Sequence, residues 1–285
     1  MALPPGWIAP RRHKMSTSTR RPLRFVTYLA PGIPRAFFEL VAARVAAELD
    51  TTAHLTVDAS SSGPTPTGPD PFSSGDADVG FLCAPTYRWL RARSVPPVEL
   101  VPAAPTFDDP RAAARPVYFS DVVVRRESRL DAFSSLRGGV WAYNDACSLS
   151  GYHSLTSRLG PGDSSISYFR ALLASGSHAA SMRLVAAGVA DAAAIDSNVL
   201  ALAARAEPEL LRRLRVLDTW GPFPIQPVVV RSGLDDELKP RIARALLALE
   251  GDGVARRSLS HFGARGFVPV ADADYAEVSL RGAAT

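Results

Sequence analysis

The stretch WAYNDACSLSGYHSL, residues 141–155, has residue types and spacing that could do chemistry. It begins as an apolar strand, continues with the hydroxyl residues Ser148 and Ser150, and passes through Gly151 into a helix. Amides at a helix start carry the positive end of the helix dipole, and serine hydroxyls add donors, so this pattern predicts binding of a phosphoryl or carboxylate group. The alternative is that Ser148 or Ser150 serves only as the N-cap of the helix.

A second candidate group lies in GSHAASMRLVAAGVADAAAIDS, residues 176–197. Ser177 and His178 stand at a predicted helix start, and Asp196 ends a strand of small residues. A histidine there can donate to an anion, and a carboxylate can accept from an amine or orient the imidazole. The alternative makes His178 a surface residue at the helix start and Asp196 the N-cap of the next helix.

Three hydroxyl residues nearer the N-terminus are further candidates. Tyr28 ends the opening strand, and Thr86 and Tyr87 begin the helix after the third strand. Tyrosines at the mouth of a cleft provide apolar walls with a polar tip, so we expect all three residues to line the same cleft from the opposite side. Packing at the edge of a lobe would explain them equally well.

The sequence lacks the common catalytic motifs GxSxG, HExxH and GxxxxGK[ST], and it has no GxGxxG after a strand. Ser148, His178 and Asp196 form a nominal Ser/His/Asp set, but no strained nucleophile turn marks them, so we interpret them as ligand contacts. We expect no catalytic residue, metal or cofactor. The competing hypothesis is a cytoplasmic metabolic enzyme for a small phosphorylated or carboxylated metabolite, with His178 or Asp196 as acid or base and Cys147 as nucleophile.

The elements that must position these residues are short apolar strands that alternate with helical segments from Leu23 onward. The strand LRFVTYLA leads into the helix PRAFFELVAARVAAEL, and SSSGPTPTGPDPFSSG is typical of a surface loop. Three helical stretches are predicted across residues 151–188, and DDELKPRIARALLALEG forms an amphipathic helix. We expect mostly parallel sheets, in which ligands bind beyond the carboxyl ends of the strands.

The same pattern predicts two lobes with a ligand cleft between them. Residues 23–108 and 219–285 form the first lobe, residues 109–218 form the second, and residues 1–22 are a disordered extension. The Pro- and Ala-rich segment 105–116 is the predicted hinge.

Composition excludes several classes of protein. The chain has 285 residues and a formal charge of +4, and part of that charge lies in the first 21 residues, so nucleic-acid binding is not favoured. Cys83 and Cys147 are too few for a disulfide framework and are expected as buried thiols.

The sequence also bears on location. No run of 18 apolar residues predicts a membrane span, and residues 1–21 lack the apolar core of a secretory signal. As written, the chain is therefore expected in the cytoplasm, or in the periplasm or at the cell surface if the natural N-terminus differs. Met15 is an alternative start.

Four segments resemble the phosphate/phosphonate substrate-binding proteins of ABC transporters. The resemblance spans most of residues 23–275, and its motifs occur in the family's order: RPVYFSDVVVRRES, LRGGVWAYNDACSLSGYHS, GSHAASMRLVAAGVADAAAIDS and FGARGFVPVADADY. It implies a type 2 periplasmic-binding-protein-like fold that closes on a small anionic ligand such as a phosphonate or phosphate. It also implies an ABC permease and ATPase as partners.

The resemblance carries site roles over by position. Ser148 and Ser150 correspond to oxyanion donors, with the amides around Gly151 assisting. His178 corresponds to the histidine of the GSH segment, and Asp196 to an acidic residue that meets the amino group of amine-bearing ligands. Tyr28 and Tyr87 are weaker transfers.

This chain departs from the family in two ways. Leu149 replaces the middle member of a run of three hydroxyl residues, which is expected to make the pocket more apolar there. An export signal is not apparent. The sequence therefore predicts a solute-binding protein, or a cytoplasmic descendant of one, that recognises a small anion by closure of two lobes.

Overall fold

The computed structural model describes residues 21–160 and 162–278 of the chain. They form an α/β fold. Its strands, in chain order, are β1 (Leu23–Thr27), β2 (Ala53–Val57), β3 (Val79–Phe81), β4 (Val98–Leu100), β5 (Ala104–Phe107), β6 (Val117–Arg125), β7 (Val140–Tyr143), β8 (Ala171–Ala174), β9 (Ala192–Asp196), β10 (Leu214–Pro224), β11 (Val228–Arg231) and β12 (Ala264–Val268).

The helices lie between these strands. They are α1 (Arg35–Glu48), α2 (Ala84–Arg91), α3 (Ser154–Arg158), α4 (Ser165–Tyr168), α5 (His178–Ala186), α6 (Ser197–Ala206), α7 (Pro208–Arg212), α8 (Leu238–Gly251) and α9 (Gly253–Ser260). A π-helical turn, Leu149–His153, runs directly into α3. Among the described helices, none is long and apolar enough to cross a membrane.

The first sheet has the strand order β2-β1-β3-β11-β4. Helix α1 covers it with the apolar face that its sequence spacing predicts, and Val41 and Val45 on that face are fully buried. The ring of Phe38 packs 5.0 Å from the ring of Phe81 on β3. Burial of such side chains against the sheet fixes the position of the loop between β1 and α1, which reaches the candidate site.

The second sheet has the strand order β10-β6-β9-β7-β8. Alanines occupy most of β9, so helices can approach this strand closely. Trp141 of β7 stacks on Trp220 of β10 at 5.9 Å between ring centroids, and Phe133 packs edge-on against both. This aromatic cluster holds the sheet rigid behind the helix starts that face the other lobe.

A third sheet consists of the antiparallel strands β5 and β12. The two five-stranded sheets are mixed, whereas the sequence analysis predicted mostly parallel ones. Strands β1, β2 and β3 are parallel, as are β7, β8 and β9, but β11 runs antiparallel to β3 and β4. Likewise, β6 runs antiparallel to β9 and β10. Strands β6 and β11 each enter their sheet from the other lobe, so a βαβ crossover does not set their direction.

Strand β8 corrects a second expectation. Its sequence, Ala-Leu-Leu-Ala, lies within residues 151–188, across which three helical stretches and no strand were predicted. Four apolar residues carry no distinguishing period, and the parallel pairing with β7 decides the conformation.

The chain passes between the two sheets at two places. The first passage lies between β4 and β6 and contains the predicted hinge segment 105–116. The second lies between Pro224 of β10 and Val228 of β11. The predicted lobe boundary at 218/219 therefore falls inside β10, a continuous strand of the second sheet. The first lobe is accordingly the part of the chain built on the first sheet, and the second lobe is the part built on the second sheet.

Residues 1–20 of the predicted disordered extension, and residues 279–285 of the predicted first lobe, lie outside the described residues. Arg21 was assigned to that extension, but its guanidinium donates to the buried carboxylate of Asp78 at 2.7 Å. Arg21 is therefore attached to the first lobe and does not belong to a disordered extension.

Candidate functional site

A cavity of about 60 Å³ lies between the two lobes. A water-sized group needs on the order of 10–15 Å³ of such space, so the cavity matches a ligand of a few heavy atoms. Its lining comes from both lobes: Tyr28, Leu29, Ala30, Pro31, Gly32, Ile33, Ala59, Ser61, Ser62 and Cys83 from the first, Asn144, Asp145, Ser148, Ser150, Gly176, Ser177, His178, Asp196 and Val199 from the second, and Gln226 from the second passage.

Helix starts converge on this cavity. Ser148 is the N-cap of the helical segment that begins at Leu149, Ser177 is the N-cap of α5, and Asp196 is the N-cap of α6. From the first lobe, Cys83 precedes α2. Because a helix start carries a partial positive charge, and the amides that its cap leaves unbonded can donate, such a wall can bind an anion without a positively charged side chain.

Ser148 caps its helical segment, as one of the two alternatives predicted, and it also lines the cavity. Its Oγ accepts a hydrogen bond from the Gly151 amide at 3.1 Å, so the residue does cap the helix. A hydroxyl used in this way as an acceptor retains its own hydrogen, and Ser148 lines the cavity. Ser177 has the same arrangement, because its Oγ accepts from the Ala180 amide at 3.1 Å.

Gly151 is required by a close approach. A Cβ atom at this position would collide with Oδ1 of Asn144, which follows β7. Gly151 does not itself line the cavity, and its role is to let the helical segment begin against the end of β7.

The fold of the second lobe brings Ser150 and His178 into contact. Ser150 Oγ lies 3.1 Å from Nε2 of His178, and both side chains are buried. Burial lowers the pKa of His178 to about 4, with the Ala194 carbonyl acting in the opposite direction. His178 is therefore neutral at pH 7 and offers hydrogen bonding rather than positive charge. It is not the surface residue of the alternative interpretation.

Asp196 is the N-cap of α6, as the alternative interpretation predicted, and it also lines the cavity. Its Oδ1 accepts from the amides of Asn198 at 2.8 Å and Val199 at 3.4 Å, and its Oδ2 accepts from Nε2 of Gln226. Burial raises the pKa of Asp196 to about 6, although these hydrogen bonds oppose the shift. A carboxylate has about four acceptor positions, so one remains for a ligand.

Of the three candidate residues in the first lobe, Tyr28 lines the cavity and the other two do not. Tyr28 is buried and lines the cavity, and its burial raises the pKa of the phenol. Thr86 and Tyr87 are buried but do not line the cavity. Tyr87 donates to the carboxylate of Asp272 and packs edge-on against Tyr275, so it attaches α2 to the segment after β12.

Residues that sequence reasoning missed include Ser62, Asn144, Asp145 and Gln226. Ser62 lies in a Gly-, Pro- and Ser-rich stretch, which carries no periodic signal. Asn144 and Asp145 follow β7 directly, and their position at a strand end was the available signal. Gln226 is polar in an otherwise apolar passage, and only the fold places it beside Asp196.

Leu149 does not make the cavity more apolar, in contrast to the expectation. Its side chain is buried in the main apolar core, and it is not among the lining residues. Its amide donates to Sγ of Cys83 in the other lobe at 3.2 Å. The side chain at position 149 therefore points into the core and away from the cavity.

The geometry does not form a nucleophilic triad. Nε2 of His178 contacts Ser150 rather than Ser148, and the hydrogen bonds of Asp196 go to Asn198, Val199 and Gln226. Cys147 is half-buried, and burial raises the pKa of its thiol to about 11, which disfavours a thiolate nucleophile. Both cysteines are unpaired thiols, but only Cys83 is fully buried as expected.

Comparison with known proteins places this site in a family. The model of the periplasmic phosphonate-binding proteins of ABC transporters matches residues 45–275, which include the helix starts that line the cavity. The chain belongs to this family. The resemblance found in the sequence is thereby confirmed.

Solved structures share the two-lobed fold of this family. The binding protein component of an ABC phosphonate transporter from Pseudomonas aeruginosa superposes with a TM-score of 0.75 at 17% identity, covering 90% of this chain and 84% of that one. PhnD1 from Prochlorococcus marinus, in complex with methylphosphonate, has a TM-score of 0.72 at 16% identity, covering 90% and 95%. A Xanthomonas citri protein bound to ATP has a TM-score of 0.63 at 19% identity, covering 90% and 94%.

Proposed function

We propose that this protein binds a small phosphonate or a related oxyanion between its lobes and delivers it, outside the cytoplasmic membrane, to an ABC permease and ATPase. The convergence of helix starts on one small cavity carries this proposal. Membership of the phosphonate-binding family supports it. On this account the chain has no catalytic residue, and the energy of ligand binding serves lobe closure.

Ser148 and Ser150 are the proposed oxyanion donors. Both line the cavity, and both lie within the first turn of a helical segment whose amides point the same way. His178 lines the cavity beside Ser150, and in the tautomer with hydrogen on Nε2 it donates to Ser150 Oγ across the 3.1 Å contact, which leaves the Ser150 hydroxyl hydrogen for the ligand. Tyr28 forms part of the opposite wall, so closure of the lobes encloses the ligand between the two surfaces.

Size favours a ligand with few atoms beyond its oxyanion. Methylphosphonate, the ligand of the Prochlorococcus protein, has five heavy atoms and is in proportion to about 60 Å³. ATP, the ligand of the Xanthomonas protein, is several times larger than this cavity. We therefore place the substrate among small phosphonates and simple oxyanions rather than nucleotides.

The charges of the lining residues favour a ligand that retains a proton and can donate it in a hydrogen bond. Among the described lining residues, Asp145 and Asp196 are acidic and none is Lys or Arg. A dianion would meet hydroxyls, amides and a neutral imidazole but no full positive charge. A monoanion, or the amine of an aminoalkyl phosphonate, can donate to the remaining acceptor position of Asp196.

Thermal unfolding against a panel of oxyanions tests this proposal. The panel holds methylphosphonate, aminoethylphosphonate, phosphite, phosphate and acetate, with sulfate as a tetrahedral control that has no proton to donate. A ligand at about 100 times its Kd adds roughly 2.7 kcal/mol of stability, which raises Tm by a few degrees for a chain of this size.

We expect at least one phosphorus oxyanion to raise Tm and sulfate to leave it unchanged. If no phosphorus oxyanion raises Tm, the proposed function is wrong. If sulfate raises it as much as the best phosphonate, the protonated-ligand part is wrong.

A further inference from the structure

Asp145 connects the two lobes directly. It follows β7 in the second lobe, and its Oδ1 accepts from the amide of Ser62 at 3.1 Å. Its Oδ2 accepts from the hydroxyl of Ser62 at 2.6 Å. Ser62 lies in the first-lobe loop between β2 and β3 and is 8% exposed. Nδ2 of Asn144 also donates to the Ser62 hydroxyl at 3.3 Å, so three hydrogen bonds between these residues cross the cleft.

On its own side, Asp145 is held in place. The amide of Cys147 donates to Oδ1 at 2.8 Å, and Nδ2 of Asn144 donates to Oδ2 at 2.8 Å. With the two bonds from Ser62, the carboxylate accepts four hydrogen bonds, which is about its full capacity. Although Asp145 lines the cavity, no acceptor position remains for a ligand.

Ser62 is equally well anchored to the first lobe. Its carbonyl accepts from the amide of Cys83, the residue before α2, at 2.8 Å. The neighbouring Ser61 donates through its hydroxyl to the carbonyl of Gly63 at 2.6 Å, which fixes the turn of the loop. Ser62 is therefore linked through Cys83 to α2 and its sheet. The hydrogen bonds that Ser62 donates to Asp145 restrain the two lobes and not only the loop.

We propose that Asp145 and Ser62 form a closure latch, which stabilises the closed arrangement of the lobes whether or not a ligand is bound. This inference rests on the lobe closure of the proposed function. A carboxylate with two serine donors is a strong acceptor, and these bonds exist only when the lobes meet. Asp145 and Ser62 both line the cavity, but their side chains hydrogen-bond each other and neighbouring protein groups, so we class them as positioning residues that act on affinity through the closed population.

The latch has a defined consequence for binding. The apparent Kd equals the intrinsic Kd divided by the fraction of protein in the competent state. Loss of the latch therefore raises the apparent Kd by the same factor as it lowers the closed-to-open ratio, as long as the closed form is the minority. In kinetic terms, the ligand leaves faster, while the rate of its first encounter with an open lobe stays the same.

The test measures lobe closure without any ligand. Dyes are attached to cysteines introduced by Val95→Cys in the first lobe and Ile166→Cys in the second, at positions that are 82% and 81% exposed. The natural thiols compete poorly for the dye, since burial raises the pKa of Cys147 to about 11 and raises that of Cys83 as well. Single-molecule energy transfer then reports the closed-to-open ratio.

Ser62→Ala removes one cross-cleft hydroxyl and leaves the Asp145–Cys147 turn intact, so it is the primary variant. We expect it to lower the closed-to-open ratio roughly tenfold, the loss typical of one hydrogen bond to a charged group. Ser60→Ala is the matched control, because the Ser60 hydroxyl bonds Asp58 within the same loop and does not cross the cleft. The control should leave the ratio unchanged.

Asp145→Ala completes a double-mutant cycle with Ser62→Ala. We expect Asp145→Ala to lower the ratio at least as much as Ser62→Ala, and we expect Ser62→Ala to have a much smaller further effect once Asp145 is gone, since only the hydrogen bond from Asn144 is then lost. The latch is wrong if Ser62→Ala leaves the ratio within twofold of the wild type, or if the two effects add in full. Since no ligand is present, this result is independent of whether any phosphonate binds.

Discussion

The two walls of the cavity are built from the same local pattern but do different work. In both lobes a strand ends, the chain turns, and a helix begins near hydroxyl residues. In the second lobe those hydroxyls line the cavity, as Ser148, Ser150 and Ser177 do. In the first lobe, Thr86 and Tyr87 are taken into packing between elements.

The difference lies in the position of each residue relative to the helix start. Ser148, Ser177 and Asp196 are N-caps, and an N-cap residue faces the space beyond the helix end. Thr86 and Tyr87 come three and four residues after the N-cap Cys83, where side chains lie along the flank of the helix. Under the proposed function, the second lobe therefore supplies most of the donors to the ligand, and the first lobe supplies the opposite wall and Ser62 of the latch.

The largest expected effect concerns the ionisation of His178 and Asp196 in the second-lobe wall of the cavity. The pKa of His178 is lowered to about 4, so His178 stabilises the fold increasingly as pH rises from 4 to 6.5, by about 3 kcal/mol in all. The pKa of Asp196 is raised to about 6, so Asp196 contributes stability below pH 4 that is lost as pH rises through 6, again about 3 kcal/mol. In the wild type these two trends oppose each other.

Single substitutions should separate the two trends. We expect the stability of His178→Gln, relative to the wild type, to fall as pH rises from 4 to 6.5, and that of Asp196→Asn to rise. Urea unfolding at a series of pH values measures both. Tyr28→Phe is the control from the other wall, because burial raises the pKa of Tyr28 and keeps it protonated in this range. Parallel pH profiles for all three variants would contradict the comparison.

A smaller effect is expected at Tyr87. Tyr87→Phe removes the hydrogen bond to Asp272, a residue whose side chain is 62% exposed, and should destabilise the fold by about 1 kcal/mol. Affinity for the ligand should stay within twofold, because Tyr87 does not line the cavity. Urea unfolding and calorimetric titration measure the two quantities. A loss of affinity beyond tenfold with unchanged stability would return Tyr87 to the binding site.

Much of this structure was predictable from the sequence. The apolar spacing of α1 and the strand before Asn144 predicted the correct elements, and the four family motifs predicted the fold class. Strand β8 was missed because four apolar residues fit a helix and a strand equally well. The antiparallel placement of β6 and β11 was missed because strand direction depends on which lobe the chain arrives from, and that is a property of the whole fold.

The second-lobe part of the site was predictable for a related reason. Ser148, Ser150, His178 and Asp196 all lie at helix starts, where sequence marks both the residue type and its position. Ser62 and Gln226 lie in segments without periodicity, and only tertiary contacts bring them to the cavity. Thr86 and Tyr87 show the opposite error, in which a suitable residue type lies a few positions too far along the helix.

Calorimetric titration of Ser148→Ala with Ser150→Ala tests the central claim most directly. The titrant is the phosphorus oxyanion that raises the wild-type Tm most, and Ser167→Ala, an exposed serine of α4 distant in sequence from the cavity residues, is the control. Loss of two hydrogen bonds to a charged ligand, each about 1.5–3 kcal/mol, should weaken binding by at least roughly a hundredfold. The free variant should also be less stable by about 1 kcal/mol or more, because it lacks the Ser148 N-cap and the Ser150–His178 contact, so the titration is run well below its Tm. Affinity equal to that of the wild type would show that the anion does not bind at these helix starts.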